Sequence, residues 1–180
     1  LPDPHIWMDT KLWVKVAQFI GKKLERIDSM NQKEYQQQTN LYVKRLKEVD
    51  ESMRRKVREL PNKQRILVTA HDAFQYFAKS YGFTVKGLQG ISTESKAGTQ
   101  DVQDLVDFIV TNRVPAIFVE SSIPKRNMLA VQEAVKAKGW RVKIGGELYS
   151  DALGAANTPQ GNYIGMVSHN VSTIVRDLKK

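Results

Sequence analysis

From Trp13 the apolar residues recur at Val16, Ala17, Ile20, Leu24 and Ile27. This three-and-four spacing lines one face of a helix, with Asp9 or Thr10 standing where an N-cap belongs. A second series, Tyr35, Leu41, Tyr42, Leu46, Val49, Met53, Val57 and Leu60, keeps the spacing until Pro61 stops it. About 28 residues at ~1.5 Å each make a rod of ~42 Å. A rod of that length ties two bodies together, and only one body follows it here. The opposite face carries Asp50 four residues before Arg54 and Glu51 four before Arg55. Such acid-before-base pairs favour a helix by a few tenths of a kcal/mol each, and the run reads as a solvated face.

After Gln64 the period changes. Short β-branched runs, "RILVTA", "FTVKGLQG", "PAIFVES" and "WRVKIGG", alternate with "HDAFQYFAKSYG" and with helices expected from about Thr99, Pro124 and Tyr163. Apolar strands separated by helices predict a parallel sheet covered on both faces, and right-handed crossovers make it doubly wound. The expected fold is therefore α/β: a mainly parallel four-stranded sheet with flanking helices, preceded by one helix and the long rod. Three parts follow, a loop and helix over residues 1–31, the rod over 32–60 and the α/β body over 61–180. Gly82 and Gly139 stand where helix C-termini need a left-handed residue.

Composition narrows the function more than the fold. A chain of 180 residues, 41% of them hydrophobic, suits one full core with an appendage. No stretch approaches the ~20 apolar residues of a membrane span. The chain opens on Leu1 and "PDPH" without a methionine, which suggests a piece of a longer protein. Cysteine is absent, which excludes disulfides and thiolate metal sites. The 28 basic and 19 acidic residues leave a charge of +9, and residues 1–65 hold 15 of the former against 9 of the latter. A basic stripe including Lys44, Arg45 and Arg55 raises a nucleic-acid reading. The charges interleave with acids and lack clustered aromatics, so no nucleic-acid partner is expected.

In an open parallel sheet, ligands bind beyond the carboxyl ends of the strands. The first strand ends at His71, the third at Glu120, Ser121 and Ser122, and the fourth delivers "GGELYSDALG" with Glu147 and Asp151. A second histidine, His5, sits in "DPHIW", where Pro4 fixes the backbone before the ring and Trp7 can shield it. His169, among Val167, Val171 and Ile174, reads as structural. Two imidazoles and a carboxylate suit Zn²⁺, Mn²⁺ or Fe²⁺ and are one ligand short of a closed tetrahedron. Catalysis would leave the open position to water, with Glu120 or Glu147 as general base of a metallohydrolase; binding would fill it with another protein ligand. Neither His-Glu-x-x-His, Gly-x-Ser-x-Gly nor a phosphate loop is present. Glu120 or a backbone carbonyl could orient the second nitrogen of His71. Both rings must be neutral to ligate, so binding is expected to weaken below pH ~6.5.

Five segments, "DPHIWMD", "LVTAHDAFQYFAKSYGF", "KGLQGISTES", "AIFVESSIPKRNM" and "IGGELYSDALG", together resemble the cluster A-I substrate-binding family, the TroA-like zinc/manganese receptors of bacterial ABC importers. The resemblance covers nearly the whole chain. It implies two α/β lobes joined by one long rigid helix, with a metal ion held between them by four side chains. His5 then corresponds to the ligand ending the N-terminal lobe, His71 to the first ligand of the C-terminal lobe, and Asp151 to the carboxylate ligand. Residues 1–31 would close the N-terminal lobe, 32–60 would form the linking helix and 61–180 the C-terminal lobe. A further histidine of the N-terminal lobe has no counterpart here, nor has any His-rich loop. The implied function is capture of Zn²⁺ or Mn²⁺, with Fe²⁺ as a further cargo, and delivery to an ABC permease without bond chemistry. The implied location is periplasmic or extracytoplasmic, on a membrane-anchored lipoprotein, and some such receptors are also described as adhesive. Self-association through the face left by the absent lobe is expected.

Overall fold

The structure, a computed structural model, describes residues 2–94 and 97–179. Leu1 and Ser95, the latter closing the "KGLQGISTES" segment, lie outside them. A short 3-10 turn at Ile6–Met8 leads into α1, Thr10–Ile27, whose first turn is capped by Asp9 Oδ1 accepting from the main-chain N–H groups of Lys11 and Leu12. Helix α2, Gln32–Val57, doubles back along α1. Its 26 residues fall slightly short of the expected rod, because the chain leaves helical geometry before Pro61, where the helix could not continue.

The α/β body follows as β1, Ile66–His71; α3, Gln75–Tyr81; β2, Thr84–Gln89; α4, Thr99–Thr111; β3, Ala116–Glu120; α5, Arg126–Ala137; β4, Lys143–Leu148; and α6, Tyr163–Leu178. All pairings are parallel, β1 with β2 and β3 with β4, and β1 lies beside β3. The expected four-stranded sheet is thus two two-stranded ladders with their inner strands side by side. Side chains intervene at that seam: Glu120 Oε1 accepts the His71 main-chain N–H at 2.9 Å, and Thr69 Oγ1 donates to the His71 carbonyl. Helix α3 begins four residues after His71, so the histidine is the last residue of a strand and not the first of a helix. Gly82 and Gly139 do adopt left-handed φ, +72° and +84°.

Alternation along the strands sends side chains into two cores. Leu67, Phe118 and Leu148 pack with Leu46, Met53, Phe77, Tyr163 and Ile174 on the side of α2, α3 and α6. Val68, Ala70, Ile117 and Val119 pack with Leu105, Ile109, Met128 and Val131 of α4 and α5.

One expectation about the leading helices is corrected. Asp50 does not lie on a solvated face. It is buried, accepts hydrogen bonds from Tyr81 Oη at 2.8 Å and from Arg54 Nε at 2.8 Å, and joins α2 to α3. Burial of the carboxylate is tolerated because both donors are in place. The apolar stripe, conversely, is not wholly covered: Phe19, Ile20, Leu24 and Ile27 of α1 and Leu41 of α2 are exposed.

Candidate metal centre

Three strand or loop ends bring His5, His71 and Asp151 together, with one ligand-type atom of each within 4.8 Å of the others. His71 ends β1 and has no exposed surface; His5 precedes the 3-10 turn and is 3% exposed; Asp151 follows β4 in the loop before α6 and is the outermost of the three. The imidazole Nε2 atoms face Asp151, at 3.3 Å to Oδ1 from His5 and 3.2 Å to Oδ2 from His71. The two rings meet edge to face with centroids 5.4 Å apart.

Each ring is held from behind by a carboxylate. Asp3 Oδ1 accepts the His5 main-chain N–H at 2.9 Å and lies 2.7 Å from His5 Nδ1. Glu120, itself buried, places Oε2 2.6 Å from His71 Nδ1. Each carboxylate thus stands against an Nδ1 atom, and the Nε2 atom of each ring is left directed at Asp151. Carboxylates behind metal-ligating histidines fix tautomer and ring orientation in this way. The donor set also fits a metal on a second count: His71 is fully buried, and neither its two ring nitrogens nor Glu120 Oε2 makes an aligned hydrogen bond.

Without a metal, this environment is strongly polarised. Burial pulls the His71 pKa down, but the close carboxylates of Asp151 and Glu120 outweigh it and push the value up to about 9. Asp151 is held below the usual carboxylate range, chiefly by the His71 imidazole beside it, against the opposing effect of burial. The pH at which the proton competes with a metal for His71 therefore rises above the ~6.5 expected of an ordinary imidazole.

The remaining sequence candidates separate clearly. Glu120 orients His71 and is not free to act as a base. Glu147 points away, pairing with Lys125 Nζ at 3.1 Å. Ser122 Oγ reaches Ser150 Oγ at 3.0 Å and Asp151 Oδ2 at 3.5 Å. His169 lies 3.0 Å from the Glu147 carbonyl and outside the cluster. Trp7 packs edge-on against His5, with ring centroids 5.3 Å apart. Sequence reasoning missed Asp3; the signal was its place two residues before His5, with Pro4 between them restricting the turn.

The fold, with His5, His71 and Asp151 gathered at strand and loop ends, is that of one lobe of a solute-binding protein, a class whose members are not enzymes. The chain belongs to the ZnuA family, zinc-uptake complex component A, periplasmic, which it matches over residues 2–177. The metallohydrolase alternative falls with that membership. Among relatives, the zinc-binding protein TroA of Treponema pallidum is 48% identical over 99% of this chain and 58% of its own length. The manganese-binding lipoprotein MntA of Bacillus subtilis is 43% identical over 98% of this chain and 58% of its own. The solved structure of T. pallidum TroA superposes with a TM-score of 0.97 over 99% of this chain and 64% of that one. Fe(III)-bound YtgA of Chlamydia trachomatis, 25% identical, gives 0.91 over 99% of this chain and 64% of its own. The chain thus spans about 58% of the length of these curated relatives.

Proposed function

We propose that this chain forms the metal-capturing C-terminal part of an extracytoplasmic receptor that binds a divalent transition metal through His5, His71 and Asp151 and delivers it to an ABC permease. The observation that carries the proposal is the convergence of two imidazole Nε2 atoms on one carboxylate while Asp3 and Glu120 stand behind the two Nδ1 atoms. The metal is cargo, and the chain's part is to hold and release it. Residues 1–31 are read as the end of an N-terminal lobe, 32–60 as the linking helix and 61–180 as the C-terminal lobe. The exposed apolar residues of α1 support that division, since a helix at a lobe boundary needs a covering surface.

A His, His, Asp set accepts zinc, manganese and ferrous iron alike, and intrinsic affinity favours zinc over manganese. Membrane anchoring as a lipoprotein is carried over from the relatives' description. Calorimetric titration of the chain with Zn²⁺ and Mn²⁺ at neutral pH, beside His71→Ala and Asp151→Ala, tests the site. Tight stoichiometric binding reduced to weak, still measurable binding in both variants supports it. Affinity unchanged by both substitutions would refute these ligands.

A further inference from the structure

Two of the three ligands are buried on short, tightly held segments, whereas Asp151 projects from the loop between β4 and α6. What fixes that loop can be followed residue by residue. Tyr149 is pinned to α6, its N–H donating to Asn170 Oδ1 at 3.0 Å and its carbonyl accepting from Asn170 Nδ2 at 2.7 Å. Ser150, 1% exposed, gives its carbonyl to the Trp7 indole N–H at 2.8 Å and its hydroxyl to contact with Ser122. Beyond it, Asp151, Ala152 and Leu153 make no main-chain hydrogen bond among the described residues, and the next anchor is Gly154 N–H to the Gln160 carbonyl. The Trp7 contact is therefore the last main-chain tether before the carboxylate ligand.

Trp7 is placed with equal care. Its own carbonyl accepts the Tyr163 hydroxyl at 2.8 Å, and its ring lies against His5, two residues upstream. One residue thus links the segment bearing His5 to the loop bearing Asp151 and is itself fastened to the start of α6.

We infer that Trp7 is a positioning residue of the metal centre: its indole N–H, acting on the Ser150 carbonyl, holds Asp151 where its carboxylate meets both imidazoles. This deepens the proposed function and rests on it. A tethered ligand loses less freedom when the metal arrives, which is the general source of affinity in preorganised sites.

The test is Trp7→Phe, which keeps an aromatic ring and removes the donor, in the parent chain and in the Asp151→Ala background. Zn²⁺ affinity is read by competition with a chromophoric chelator and compared with the thermal midpoint of each metal-free protein. The expected result is about ten-fold weaker binding in the parent background, and no further loss when Asp151 is already absent. Tyr163→Phe, which releases the Trp7 carbonyl, is expected to weaken binding several-fold and provides the same reading if Trp7→Phe folds poorly. Unchanged affinity in both variants overturns the inference while leaving the metal site intact. Equal losses with and without Asp151 also overturn it, since they make Trp7 a packing residue only. Absence of Zn²⁺ binding by the parent would instead overturn the metal reading itself, and this inference with it.

Discussion

Replacing Glu120 by glutamine changes one atom in a fully buried pair and should disable the site through histidine chemistry. Glu120 now faces His71 twice: Oε1 accepts the main-chain N–H at 2.9 Å, and Oε2 lies 2.6 Å from Nδ1. An amide has one acceptor and one donor end, so it serves only one of these contacts as built. With its oxygen on the main-chain N–H, the NH₂ group faces Nδ1, and the ring responds by moving its hydrogen to Nε2, the atom that must bind metal. With the amide reversed, Nδ1 keeps its hydrogen but a buried main-chain N–H loses its partner, at about 1–3 kcal/mol. Either way metal binding bears the penalty. Loss of such an outer carboxylate weakens metal affinity by about 10–100-fold, or about 1.4–2.7 kcal/mol. Chelator competition with Zn²⁺ measures the affinity, and long-range ¹H–¹⁵N correlation of the metal-free protein, recorded above the His71 pKa of about 9 where the ring is neutral, reports which ring nitrogen is protonated. Affinity within two-fold of the parent, with Nδ1 still protonated and stability unchanged, would refute the reasoning.

Other outcomes follow from the same geometry. Because the His71 pKa is raised from 6.5 to about 9, the stability its charged form gives the metal-free protein is complete below pH ~6.5 and lost as pH rises towards 9. The thermal midpoint of the metal-free chain should fall across that window while Zn²⁺ affinity increases; a flat midpoint with flat affinity would contradict it. Gly87→Ala is expected to weaken metal binding and stability together, since an added Cβ would lie 2.6 Å from Asp72 N and 2.7 Å from the His71 carbonyl carbon; paired calorimetry and thermal melts check this. Asp50→Ala removes the acceptor of the Tyr81 hydroxyl and of Arg54 Nε, though Arg54 keeps the Ser80 carbonyl, and should cost about 1–3 kcal/mol in urea unfolding. Finally, the apolar surface of Phe19, Ile20, Leu24 and Ile27 should drive concentration-dependent self-association of this chain. Light scattering should show it relieved by Leu24→Lys with Ile27→Lys, and a monomer at high concentration argues against it.

Periodicity alone determined much of this protein. Helical spacing located α1, α2, α4 and α6 to within a few residues, and β-branched runs located all four strands, because both signals arise from each segment burying one face. His5, His71 and Asp151 were legible as metal-ligand types at strand or loop ends, since the chemistry of imidazole and carboxylate is local. Tertiary structure decided what those residues meet. Asp50 read as solvated because its partner Tyr81 is 31 positions away, and no helical pattern records a hydrogen bond across that distance. Glu147 and Glu120 were equal candidates for a general base, and Glu120 alone was read as a partner of His71; packing turned Glu147 to Lys125 and set Glu120 behind His71. The role of Asp3 behind His5, the elevated pKa of His71 and the Trp7 tether all depend on separations of about 3 Å between groups brought together by folding. A sequence carries the identity of such groups; only the packed chain fixes the distances on which their hydrogen bonds and charges act.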